Sequence, residues 1–172
     1  MLQKPKSSGL GKASRMKPSD TEAGGLHGDD KKEVYATLKT RLNSALRSEF
    51  WFEACMIEYA IIEDRTSSIL DKARVCKDAY SSDRSLKNKL NSIENQIGKK
   101  HPIISKKVSD ETVSALKSWR ERRNDIVHRA CTMPYNDSQL KDFALEGKEL
   151  VRAISNDSQK VTRLAKKLYG EQ

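Results

Sequence analysis

The sequence predicts an all-α protein, a single helical bundle of about five helices behind a disordered N-terminal tail. Three observations lead there. Between Lys31 and Ile97 the chain holds neither glycine nor proline, the residues that punctuate most loops. Apolar residues recur at helical spacing through long windows, and no alternating period-two run of useful length occurs. Hydrophobic residues make up 36% and charged residues 33% of the chain, so each helix has to concentrate its apolar residues on one stripe. A length of 172 residues suits one domain with a tail.

Residues 1–30 mix Pro5, Gly9, Gly11, Pro18, Gly24, Gly25 and Gly28 with serine and lysine, too little apolar content to offset the entropy of ordering. This segment is the predicted tail, and 31–172 the bundle. A first helix over 31–46 carries Val34, Leu38, Leu42 and Leu46, with Asp29 or Asp30 able to cap it. A second, over 50–79, buries Phe50, Trp51, Ala54, Cys55, Ile57, Ile61, Ile62, Ile69 and Ala73. Ser81, Ser82 and Asp83 break that pattern and cap a third helix from 84 to about 97, which Gly98 and His101-Pro102 end. Ser109, with Asp110 and Glu111 in the first turn, starts a fourth that runs to about 130, before Met133-Pro134. Asn136, Asp137 and Ser138 open the last helix, to about 169, where Leu140, Phe143, Ala144, Leu150, Val151, Ile154, Val161, Leu164 and Leu168 fall largely on one side, with Asn156-Asp157 as a predicted kink.

The formal net charge is +9, which favours a polyanionic partner such as RNA, DNA or an anionic membrane surface. Residues 1–32 hold seven Lys/Arg against four Asp/Glu, so +6 remains for the rest of the chain and a basic face on the bundle is expected. Cys55, Cys76 and Cys131 form no Cys-x-x-Cys pair and read as reduced thiols, two of them within apolar helical stripes. No run of about 18 apolar residues and no signal-peptide core is present, so no membrane association is expected and the cytoplasm is the expected compartment. A Gly-rich phosphate loop, His-Glu-x-x-His, a nucleophile elbow and zinc-spaced Cys/His are all missing. Neither a cofactor nor a metal is therefore expected.

Polar residues interrupt two of the stripes. In the fourth helix, Val113, Leu116, Trp119, Ile126, Val127 and Ala130 share one broad arc, and Arg123 falls at its middle. A buried unpaired charge costs several kcal/mol, so Arg123 requires a carboxylate, a cleft or a subunit interface. Asn124 and His128 are an i, i+4 pair pointing into one locality. Arg123 stands five residues before His128, roughly 7.5 Å along the axis and on another face. A twofold copy of the helix would place two Arg and two His in one cleft. Glu58 and Arg65 interrupt the second helix in the same way. They read either as an interior network in which Glu58 orients Arg123, or as residues of packing and helix pairing alone. His27 in the tail and His101 before a proline read as plain solvated or turn histidines.

The segment Arg123-Asn124-Asp125-Ile126-Val127-His128 resembles the signature of the HEPN domains: an Arg, a polar residue, and a His after four to six intervening residues. The long second helix, from Phe50-Trp51-Phe52-Glu53-Ala54 through Glu58 to Leu70, and the motif's place on a later core helix extend the resemblance to about residues 31–169. It implies a homodimer joined through the motif helices and a metal-independent endoribonuclease, of the kind found in toxin–antitoxin, abortive-infection and CRISPR-linked defence systems. By that resemblance Arg123 and His128 are catalytic, and Asn124 and Glu58 are supporting residues. Arg120, Arg122 and Arg129 are candidates to track an RNA backbone. The chemistry fits the residue types, since a His moves protons near neutral pH and an Arg holds phosphate oxygens in a fork. The implied products are a 2′,3′-cyclic phosphate and a 5′-hydroxyl. Two other readings remain: a non-catalytic HEPN-like module that dimerises and binds a partner, such as a nucleotidyltransferase-type antitoxin or another defence protein, and a basic helical protein that binds nucleic acid without cutting it. Aromatic content of 6% argues against base stacking as the main contact in either case.

Overall fold

A computed structural model describes residues 28–79, 81, 84–130, 132 and 136–170. Six α-helices and one short 3-10 turn make up these residues, with no strand among them: α1 (Gly28–Arg47), α2 (Trp51–Lys72), α3 (Leu86–Gly98), α4 (Ile104–Lys107), α5 (Asp110–Arg129) and α6 (Asp137–Tyr169). The predicted all-α bundle is the observed one. The predicted tail lies outside the described residues, apart from the first turn of α1.

Local chemistry sets the helix starts. Ser109 Oγ accepts from the backbone N–H of Thr112 at α5, Asn136 Oδ1 from that of Ser138 at α6, and Ser85 Oγ from that of Asn88 at α3. Each meets one of the amides that the first turn leaves without a partner. The cap of α3 is therefore Ser85 and not the Ser81–Asp83 run, of which Ser82 and Asp83 lie outside the described residues. The second helix ends at Lys72, short of the predicted 79, because Arg74 adopts a left-handed φ of 57° and turns the chain into the 3-10 segment Lys77–Ala79. Cys76 is thus exposed in this connection and not in a stripe, while Cys55 is buried and Cys131 lies outside the described residues. The short α4 after His101-Pro102 was not predicted; it buries Ile103 and Ile104. The last helix runs unbroken for 33 residues through Asn156-Asp157, where Asp157 is buried and held by Lys160 at 2.9 Å.

The core lies mainly between α2 and α6, the most extensively paired elements, with α1 against α2 and α3 against α5. Trp119 of α5 is fully buried, stacks on Phe143 of α6 with ring centroids 5.0 Å apart, and donates from Nε1 to the Phe143 carbonyl oxygen. Lys89 of α3 is buried with its ammonium 3.1 Å from Glu63 of α2, so this buried charge has its counter-ion. Phe50, Val34 and Leu168, expected in the stripes, are exposed.

Gly147 lets α6 approach Glu58 of α2 and Trp119 of α5 closely. A Cβ there would stand 2.1 Å from Oε2 of Glu58 and 2.9 Å from the Trp119 ring, and both neighbours are fully buried. Gly147→Ala would gain up to about 1 kcal/mol of helix propensity. Overpacking against a rigid indole outweighs it, and a net loss of roughly 2 kcal/mol is expected. Urea unfolding of Gly147→Ala, Glu58→Ala and the double variant tests this. In the double variant the two losses should add to less than their sum, and an undiminished midpoint for Gly147→Ala would disprove the contact.

Candidate functional site

The motif sits on the C-terminal half of α5, where none of that helix's buried residues fall; those are Val113, Leu116 and Trp119. Ile126 and Val127 are half-buried and Ala130 is exposed, so the predicted buried arc is covered only over its first half. Along the uncovered half, α5 meets side chains from the start of α2.

Arg123 is half-buried. Its guanidinium lies 4.3 Å from the centroid of the Tyr59 ring, and Nη2 points at the Met56 sulfur 2.9 Å away. Stacking on an aromatic face fixes the plane of the guanidinium without neutralising it. A 3.4 Å contact from Nη1 to Oδ1 of the adjacent Asn124 is its other polar contact, and Nε is buried without a hydrogen-bond partner among the described residues. Asn124 is half-buried as well. His128, one turn on, is exposed in the last turn of α5. The site residues Tyr59 and Met56 were missed from sequence; Tyr59 follows Glu58 directly, and its proximity to Arg123 depends on how α2 and α5 cross.

Glu58 does not orient Arg123. Its side chain is fully buried and neither carboxyl oxygen has a hydrogen-bond partner among the described residues. Burial pushes its pKa up to about 9, against a smaller opposing effect of Lys148, so the group is a neutral acid near pH 7 and needs no counter-ion. Burial likewise drives the Cys55 thiol to about 12, which leaves it inert as a nucleophile. Tyr59 is also raised by burial. Arg65 pairs with its neighbour Asp64 and stacks 4.3 Å from the Tyr35 ring, so its role is to join α2 to α1. His101 is a turn residue whose Nδ1 accepts from the backbone amides of Ile103 and Ile104.

The three arginines expected to follow an RNA backbone are occupied within the chain. Arg122 pairs with Glu146 and lies over Phe143, Arg120 donates to Glu121 at 3.1 Å, and Arg129 also has an interaction in the chain. Arg120 and Arg122 therefore face nearby acids, and Arg123 is the cation of this end that rests on an aromatic ring instead. Among the described residues no group of three or more His, Cys, Asp or Glu could hold a metal ion, and no helix is long and apolar enough to cross a membrane.

The fold and the rim around Arg123 define an all-α bundle with an arginine mounted on an aromatic ring and, farther along the same helix, an exposed histidine. No family model matches the chain, and no curated protein or solved structure is significantly similar to it.

Proposed function

We propose that the chain is a metal-independent endoribonuclease that cuts single-stranded or looped RNA, with Arg123 binding the scissile phosphate and His128 transferring protons. The observation that carries this reading is the mounting of Arg123: no carboxylate pairs with its charge among the described residues, its plane is fixed on Tyr59, and an exposed His128 follows on the same helix. A held guanidinium stabilises the crowded phosphorane without reorganising when charge develops. The histidine takes the proton of the 2′-hydroxyl or supplies one to the leaving 5′-oxygen. Cleavage then leaves a 2′,3′-cyclic phosphate and a 5′-hydroxyl. Loops are favoured because in-line attack needs a backbone free to rotate, which paired A-form RNA resists.

The partly uncovered half of α5 supports the proposal of a twofold dimer. Ile126 and Val127 are half-buried there, and Met56, which Arg123 touches, is 38% exposed with Phe52 at 36% on the preceding turn of α2. The same apolar surface favours the second reading, a non-catalytic module that dimerises or binds a defence partner such as a nucleotidyltransferase-type antitoxin. Purified protein and His128→Ala, incubated with a mixed RNA pool in excess EDTA, separate the two. Cleavage by the wild type, slowed about a hundredfold in the variant, is expected. Cleavage that vanishes with EDTA or survives the substitution would defeat the mechanism, and an intact wild-type dimer that cuts no RNA would favour the partner-binding module.

A further inference from the structure

The α1/α6 groove gathers several cations that no acid neutralises among the described residues, whereas Arg120 and Arg122 near the motif are paired. Lys39 and Asn43 of α1 face Lys148, Arg152, Asn156 and Gln159 of α6 across a cavity of about 280 Å³ floored by Leu42 and Val151. Among the described residues no carboxylate lines it. Lys39 and Lys148 form no ion pair among the described residues, although the Lys39 ammonium lies 5.3 Å from the Tyr35 ring. Arg152 has only a 3.8 Å contact with Glu149, with both side chains largely exposed, and such a pair holds little. Near the motif the corresponding cations, Arg120 and Arg122, are paired with Glu121 and Glu146.

Spacing on α6 gives the groove a direction. Lys148, Arg152, Asn156 and Lys160 follow one another at four-residue intervals, a row on one face that extends roughly 18 Å. Asn156 lines both this groove and a second cleft, of about 460 Å³, where Lys106, Lys107 and Lys160 stand. Lys160 is already held by Asp157 at 2.9 Å, so the uncompensated charge of the row is at its Lys148 end.

We propose that a single RNA strand lies in the α1/α6 groove, its phosphates held by Lys39, Lys148 and Arg152. The choice of RNA rests on the proposed function, which this deepens by naming where the substrate strand runs. The groove's own chemistry points the same way. Cations alone would suffice for an acidic protein segment, whereas Asn43, Asn156 and Gln159 add amides that both donate and accept, as ribose hydroxyls require. With no aromatic side chain in the lining among the described residues, the contact is to the backbone and tolerates any sequence.

The test uses the full chain carrying His128→Ala, so that binding is read without turnover, and a labelled single-stranded RNA followed by anisotropy over a range of salt. Adding Lys39→Glu, Lys148→Glu and Arg152→Glu should weaken binding at least about tenfold and make the slope of log K against log salt shallower by about two, as loss of three phosphate contacts to a single strand requires. A control of equal net charge, Lys87→Glu with Lys99→Glu and Lys100→Glu on and after α3, should keep the original slope. The neutral pair Lys148→Gln and Arg152→Gln should lose part of the slope in the same direction. In the active background the groove variants should raise KM and leave kcat in place. Equal slopes for groove and control variants would overturn the proposal. So would polyglutamate that binds as tightly as RNA and depends equally on the three cations, which would make the groove a site for acidic protein segments. A wild type that cleaves nothing but shows the slope difference removes the proposed reaction and keeps the groove; cleavage with unchanged slopes does the reverse.

Discussion

The protein should lose stability as the pH rises from 5.5 to 8.5, and Glu58→Gln should remove a large part of that loss. In the unfolded chain Glu58 titrates near 4.5, and in the folded chain near 9. Below 4.5 both states hold the proton and the group is silent. Between the two values only the folded state holds it, so folding takes up a proton and each pH unit lowers stability by about 1.4 kcal/mol. Above 9 the folded state has to carry a buried carboxylate against Gly147 and Trp119. Over three pH units the expected change is on the order of 4 kcal/mol. A glutamine at this position is neutral throughout, and its own cost of burial is the same at every pH. Subtracting the variant's unfolding free energy from the wild type's at each pH cancels the groups the two proteins share. A falling difference is expected from urea titrations, and parallel profiles would show that Glu58 finds a charged or hydrogen-bonded state not seen here.

Glu58 also marks where the sequence stops being sufficient. Features whose causes lie within one turn were legible from it: Ser109 and Asn136 cap the helices predicted for them, and the arcs of α2 and α6 bury Ile61, Ile62, Ile69, Phe143 and Ile154 as their spacing requires. Periodicity identified Glu58 and Arg123 as interruptions but could not supply the distance between two helices. The expected pairing needed Glu58 to be ionised, and complete burial keeps it neutral, so Arg123 turned to Tyr59 and Met56. A short helix such as α4 has too few residues to show a period. Arg120 and Arg122 looked like free cations because their partners include a residue on another helix, Glu146, as well as a sequence neighbour, Glu121. The groove was hidden for the same reason: half of it comes from α1 and half from α6.

The composite nature of the proposed site has a consequence that a single-protomer site cannot share. Arg123 and His128 are five residues apart on α5, which separates them by roughly 7.5 Å along the axis and about 140° around it. In the proposed dimer a twofold partner would bring the histidine of one chain toward the arginine of the other. Arg123→Ala and His128→Ala should each lower cleavage about a hundredfold. Neither should unfold the protein: His128 is exposed, and among the described residues no carboxylate pairs with Arg123, since Glu58 is neutral. When the two inactive variants are unfolded together and refolded as a mixture, half of the dimers are mixed. Each mixed dimer has one site with both residues intact and one with neither, so activity should return to about a quarter of the wild-type value. Sedimentation of the mixture should show a species of twice 19.5 kDa. Activity that stays at the level of the separate variants, with the dimer present, would place Arg123 and His128 of one protomer in the same site, and a strict monomer at micromolar concentration would remove the shared site altogether.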